Sequence, residues 1–332
     1  GGGVGAWADD LAHALAHSGQ RIDVLAPATR GSSVAGRAAL ARDRMRAYTV
    51  HRVAGRSWRS MAGLWLGMRA ASMLKPHGAV VCATWRLALP IAALCEARGV
   101  PLLVAAHGSD LTTLRTAPAS LRAVDRRAVW LPVSRFLGQE LDRLDLRGPQ
   151  VQLPMALDIP TTVPDTPRPG LVCVARPTPL KGIDRAVRLA HALKLPLDLI
   201  GPTERPPGHR PPGLRVHGRL ARAQVMDLLT RRTAVVLLPR SSPEGMAQEG
   251  FGLSILEAAA RQTPAIGCAT GGVPEAVGPG LILPNPDRPN LADVQAFLAD
   301  PLAGERALHA LRAHHGAARA LVALHVARGL AR

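Results

Sequence analysis

The sequence predicts an α/β protein made of two doubly wound parallel-sheet domains. Short apolar runs alternate with helical segments throughout, and a stretch rich in proline and threonine divides the 332 residues in two. Strands alternating with helices belong to parallel sheets covered on both faces, and ~150 residues suit one domain. The boundaries are placed at 1–153 and 154–332.

In the first half, Ala6–Ser18 reads as a helix with Trp7, Leu11 and Leu15 at spacing four and Gly19 at the C-cap position. The β-rich run Arg21–Pro27 follows. Ala79–Ala83 and Pro101–Ala106 are buried-strand candidates with a helix, Leu87–Arg98, between them, and Trp130–Val133 closes the half. Gln150–Gly170 reads as the linker. The second half repeats the scheme: strand Leu171–Ala175, helix Ile183–Leu193, strand Leu197–Ile200, helix Ala223–Arg231, strand Val235–Pro239, a helix from about Ser254, and strand Pro264–Gly267. A cleft between the two halves is expected, with ligands at the carboxyl ends of strands. No strand precedes the glycine turn Gly1–Gly5, so the first strand of the first domain is expected to be missing.

Composition narrows the function classes. Hydrophobic residues at 47% and charged residues at 20% suffice for a core, and 32 glycines with 29 prolines stay below a low-complexity composition. Cys82, Cys95, Cys173 and Cys268 are dispersed without a C-x-x-C pair, which suits a reducing cytoplasm and excludes a disulfide scaffold or zinc finger. The most apolar run, Gly78–Cys95, is interrupted by Arg86 and Pro90 and is too short to span a bilayer. The net charge of +17 is spread over both halves and favours anionic partners. Between Arg37 and Lys75 there are nine basic residues and one acidic residue, Asp43. There Trp58, Met61, Trp65, Met68 and Ala71 recur at helical spacing, a stripe that either packs on the sheet or lies on an anionic membrane surface.

Four segments carry the chemistry, each at a strand-to-helix turn. The glycine run Gly1–Gly5, including Gly3, permits close approach of a phosphate to free helix amides. Arg176 and Lys181 flank a proline-stiffened loop before Gly182, a fork and a point charge suited to a diphosphate. In Glu249-Gly250-Phe251-Gly252-Leu253-Ser254-Ile255-Leu256-Glu257, two carboxylates bracket a tight loop, and Ser254 with Glu257 matches a capping box that starts a helix at Ser254. His107 stands at the end of the Pro101–Ala106 strand, in His107-Gly108-Ser109-Asp110.

These segments resemble the retaining glycosyltransferases of family 4, which have the GT-B fold of two Rossmann-like domains facing across a cleft. The matching motifs are the opening G-G-V-G, H-G-S-D at His107, V-A-R-x4-K-G-I-D from Val174 to Asp184, E-G-F-G-L-x3-E, and A-T-G-G-V-P-E from Ala269 to Glu275. The resemblance implies transfer of a hexose, with retained anomeric configuration, from a nucleotide-diphosphate sugar to an acceptor hydroxyl of a glycan, glycolipid or lipid-linked substrate. A bacterial cell-envelope role is the implied setting. The donor is expected to be UDP- or GDP-linked and no cofactor is expected; without a D-x-D motif, a metal-chelated diphosphate is not indicated. Arg176 and Lys181 would neutralise the leaving diphosphate, Glu257 would hold the ribose, and Glu249 the transferred sugar. The amides of Phe251, Gly252 and Leu253, with Gly250 in the same loop, would line the sugar and phosphate site. Gly3 would approach the diphosphate, His107 would contact the sugar near the reacting carbon, and the last helix would pack back on the first domain. The chain departs from the family pattern at Pro154–Asp158 and in a lengthened loop, Ser241–Gln248, where Glu244 is a decoy. A cytoplasmic enzyme, peripheral on the inner face of the plasma membrane, is the expected location. The alternatives are a soluble sugar-phosphate transferase, a nucleic-acid-binding protein (no recognition motif supports it) and a non-catalytic nucleotide-sugar binder.

Overall fold

A computed structural model describes residues 3–27, 40–41, 43–53, 72–75, 78–108, 110, 114–115, 118–163, 168–242 and 248–331. The Trp58–Ala71 stripe, Gly1, Gly2, Ser109 and the 243–247 segment with Glu244 lie outside the described residues. Two compact units divide the chain. One comprises Gly1–Val133, Leu137–Leu157 and Gly316–Arg332, and the other Ser134–Phe136 with Asp158–His315.

The first unit holds two small parallel sheets. One pairs β1 (Asp23–Pro27) with β2 (Thr49–Val53), and the other has the order β3 (Val80–Cys82), β4 (Leu102–Ala106), β5 (Ala128–Pro132). β4 and β5 are buried at every residue, as parallel strands covered on both faces must be. Helix α1 (Gly3–His17) places Trp7 and Leu11 in the core, and Gly19 turns the chain at φ +82°. The described part of the glycine run, Gly3–Gly5, is therefore helix rather than a loop ahead of it. The single helix expected over Leu87–Arg98 is two, α2 (Trp85–Ala88) and α3 (Ala92–Ala97), because Pro90 lacks the N–H that would continue the ladder. Helices α4 (Pro118–Asp125) and α5 (Arg135–Arg143) flank β5 in sequence.

The second unit is one six-stranded parallel sheet with the order β11-β10-β9-β6-β7-β8. Its strands are β6 (Arg168–Val174), β7 (Leu197–Ile200), β8 (Arg215–Val216), β9 (Arg232–Val236), β10 (Ala265–Cys268) and β11 (Leu281–Leu283). The helices are α6 (Ile183–Ala192), α7 (Arg222–Thr230), α8 (Leu253–Ala259), α9 (Val273–Val277), α10 (Leu291–Ala299) and α11 (Ala303–His314). Leu171 and Cys173 of β6, Leu197 and Leu199 of β7, and Ala234 and Val236 of β9 pack with Ile183, Ala186 and Val187 of α6 in one cluster. That period of two against a helical stripe is the expected geometry of a covered sheet. Each fully buried leucine contributes ~1.5–3 kcal/mol of transfer free energy.

From β6 the chain winds toward β7 and β8; from β9 it winds the other way, toward β10 and β11. The strand order thus reverses between neighbours β6 and β9, and the loops leaving their carboxyl ends part in opposite directions. Ligands of doubly wound sheets bind at such a point. The stretch read as a linker is only partly exposed, since Leu153, Met155, Ala156 and Leu157 are buried. The last helix, α12 (Ala317–Leu330), belongs to the first unit, where it packs on α1, β4 and β5.

Candidate active site

At the switch point, β6 runs into Ala175 and Arg176, then into a 3-10 turn, Pro179–Lys181, before α6. Gly182 bridges turn and helix at φ +62°, and a Cβ there would lie 1.9 Å from the Leu238 carbonyl oxygen. Only glycine allows the loop after β6 to lie so close to the chain leaving β9. The Arg240 amide donates to the Leu180 carbonyl at 2.8 Å and ties the two loops together.

This packing carries Glu249 back to Lys181. The Lys181 ammonium donates directly to Glu249 Oε2, across 68 residues of sequence, with both side chains largely buried. Arg176 is exposed, and its guanidinium makes no ion pair or hydrogen bond with any described residue. Its neighbours differ. Arg185, Arg188 and Arg240 are engaged by Asp184 and Asp287, which form their ion pairs around a cavity of ≈ 350 Å³ lined by Arg185, Arg240, Cys268 and Thr270. Those guanidiniums hold Asp287 down to about 2 and Asp184 below its ordinary value. Arg176 and Lys181 are therefore the cations of this corner not spent on Asp184 or Asp287.

The Glu249–Leu253 loop is clamped from behind by the A-T-G-G-V-P-E segment. Gly272 donates its amide to the Glu249 carbonyl at 2.9 Å. A Cβ at Gly271 would sit 2.1 Å from that oxygen, and one at Gly272 2.2 Å from the Gly250 oxygen. Ser134 Oγ donates to the Gly250 carbonyl at 2.7 Å, and the Phe251 ring meets His315 edge-on at 5.5 Å. The sequence showed the two glycines only as motif letters; their role emerges from the backbone they pass.

The expected capping box does not form. Helix α8 starts at Leu253, not Ser254, and its cap is Gly252 at φ +111°, with no side chain bonding the first-turn amides. The chain enters through a backbone conformation that favours glycine, which moves Ser254 inside the first turn, where it is buried. Among the described residues, nothing accepts a hydrogen bond from the amides of Phe251, Gly252 or Leu253. Phe251 and Gly252 are buried residues. Glu257, released from capping, is buried on α8 and pairs with Arg222 NH2 at 3.1 Å. Nothing in the sequence pattern marked Arg222.

In the first unit, His107 follows β4 and is 8% exposed. Its Nε2 is buried with no partner among the described residues, and its ring meets Trp7 edge-on at 4.8 Å. Burial lowers the imidazole to about 4, so the ring is neutral at pH 7. Its amide donates to Asp110 Oδ2 at 2.9 Å; burial raises the Asp110 carboxyl to about 6, against the opposing pull of that bond and of Arg86. Gly3 begins α1 in the same unit, and a Cβ there would meet nothing within 4 Å. Among the described residues, no group of three or more His, Cys, Asp or Glu is placed to hold a metal ion, and no helix is long and apolar enough to cross a membrane.

The sequence profile described as Glycosyltransferase Family 4 matches residues 1–152, and that of Glycosyl transferases group 1 matches residues 208–305. No match was found among curated proteins. Among solved structures, AviGT4, a glycosyltransferase involved in avilamycin A biosynthesis, is 17% identical with a TM-score of 0.71, covering 100% of this chain and 90% of its own. Anabaena Alr3699/HepE, solved with UDP and glucose, is 14% identical with a TM-score of 0.68 over 99% and 96%. A Rickettsia africae glycosyltransferase is 14% identical with a TM-score of 0.67 over 99% and 95%. At such identities the likeness is one of fold, and that fold is GT-B.

Proposed function

We propose, for a chain that belongs to glycosyltransferase family 4 and so transfers sugar from a nucleotide-sugar donor with retention, that the donor is a UDP- or GDP-linked hexose gripped at the β6–β9 switch point. The acceptor is the hydroxyl of a glycan, glycolipid or lipid-linked substrate, and no metal takes part. The observation that carries this reading is the Lys181–Glu249 pair. It brings a carboxylate suited to sugar hydroxyls and an ammonium suited to a diphosphate into direct contact at the loop after β6.

Arg176, Lys181 and the amides of Phe251, Gly252 and Leu253 then face the departing diphosphate, with Gly250 in the same loop and Gly3 as a further proposed diphosphate contact. Fixed donors aimed at developing charge lower the barrier without reorganisation. The anomeric C–O bond to the diphosphate breaks, the acceptor oxygen bonds to that carbon, and the acceptor proton passes to the leaving phosphate oxygen. Glu249 orients the sugar hydroxyls. His107, neutral and with an Nε2 unpartnered among the described residues, is proposed to contact the sugar near the reacting carbon as a hydrogen-bonding group rather than a cation. Glu257 holds the ribose.

The test is transfer or donor hydrolysis, with binding followed by thermal shift against UDP, GDP, ADP and their common sugars. Lys181→Ala and Glu249→Ala should each lower kcat by about 10²–10³-fold, the loss seen when one transition-state donor is removed. Transfer left intact in both variants would refute the site. The net charge of +17 supports a working position at an anionic membrane surface, on its cytoplasmic side, as part of this reading. That position is wrong if anionic vesicles fail to pellet the protein at low salt.

A further inference from the structure

We infer that Arg222 is the positioning residue for the ribose-binding carboxylate, an inference that rests on the assignment of Glu257 to the donor ribose. Arg222 is the first residue of α7, where Gln224 Oε1 accepts from the Ala221 amide at 3.0 Å and so caps the helix start. No acidic residue stands in that first turn. A cation there opposes the helix dipole, so helix stability does not explain it. What faces it is Glu257: guanidinium NH2 lies 3.1 Å from Oε1, the carboxylate side chain is 10% exposed and the arginine side chain 40%.

Helices α7 and α8 pack on each other, and both begin at the carboxyl edge of the sheet. Glu257 is therefore a nearly buried carboxylate at the ligand edge, with the arginine covering its outer side. A carboxylate has about four acceptor positions. The guanidinium contact at Oε1 restricts how that carboxylate can turn toward a vicinal diol. Arg222 acts through Glu257 and needs no contact with the nucleotide.

The experiment compares dissociation constants for UDP, GDP and ADP with those for their 2′-deoxy and 3′-deoxy counterparts, by calorimetry, in wild type, Arg222→Gln and Arg222→Lys. In wild type, removing a hydroxyl held by an oriented carboxylate should weaken binding of the recognised nucleotide about ten-fold or more. In Arg222→Gln that ratio should shrink to within about three-fold, with an unchanged melting profile. A purely structural arginine would lower binding of both nucleotides equally and leave the ratio intact, and that result overturns the inference. Arg222→Lys keeps the charge without the fork and should fall between. It decides the matter if Arg222→Gln does not fold, an unchanged ratio again being the overturning result. A wild-type ratio near one for every nucleotide that binds would remove Glu257 from the ribose, and this inference with it. A preserved wild-type ratio with an insensitive Arg222 refutes only the inference.

Discussion

Replacing Gly271 by alanine should cripple the enzyme while leaving it folded. Gly271 has φ +57°, and the added Cβ would lie 2.1 Å from the Glu249 carbonyl oxygen, where contacts under 3.0 Å are not tolerated. The Glu249 backbone must retreat by about 1 Å, a displacement that costs on the order of 10²-fold in rate when it moves a catalytic group. Left-handed alanine itself costs ~1–2 kcal/mol, or about 2–8 °C of melting temperature for a unit of this size. Gly213 supplies the control. It has φ +62°, but its nearest non-neighbour atom is 3.4 Å from the added Cβ, so Gly213→Ala carries the backbone strain without the collision. Melting curves should show a larger thermal loss in Gly271→Ala than in Gly213→Ala, by the ~1–3 kcal/mol that the collision adds, and kcat/KM with a nucleotide-sugar donor should show a loss of activity confined to Gly271→Ala. Equal activities in the two would refute the argument that the glycine pair sets the position of Glu249.

Two further predictions concern coupling and pH. Because Lys181 and Glu249 touch, the Lys181→Ala, Glu249→Ala double variant should be less impaired than the two single losses multiplied together, by an interaction of about 0.5–3 kcal/mol in a double-mutant cycle. His107 and Asp110 should show opposite pH dependences in urea unfolding. The folded imidazole, at about 4, lies below its unfolded value of 6.5, so its neutral burial is stabilising above pH 6.5 and that benefit is lost as pH falls toward 4. The folded Asp110 carboxyl, at about 6, lies above its unfolded 3.8, so its penalty is relieved over nearly the same window. Each amounts to about 3 kcal/mol. Relative to wild type, His107→Gln should gain stability between pH 7 and 4 and Asp110→Asn should lose it; parallel curves for all three proteins would refute the burial argument.

The strand and helix alternation was legible because it rests on local signals. Apolar runs of four or five residues read as strands, and the helix at Ile183 was readable from its period. Boundaries failed where a single residue with a special backbone overrode the apolar pattern around it. Pro90 split a helix whose apolar pattern continued, and Gly252 displaced Ser254 as the cap because the chain enters α8 through a left-handed residue. The segment after Gln150 read as a linker because prolines and threonines mark loops, yet Leu153 to Leu157 include buried side chains that composition could not place.

By itself the sequence determined the α/β class, the order of the motifs and the chemical types offered at each turn, since these depend on residues within a few positions of one another. Only the tertiary structure decided that β6 and β9 lie side by side, and hence that Lys181 meets Glu249 and Arg222 meets Glu257 across 68 and 35 residues. The reason is physical. A strand's apolar run specifies that it is buried but not which strand lies beside it, and every long-range pairing in the proposed site follows from that choice of neighbour.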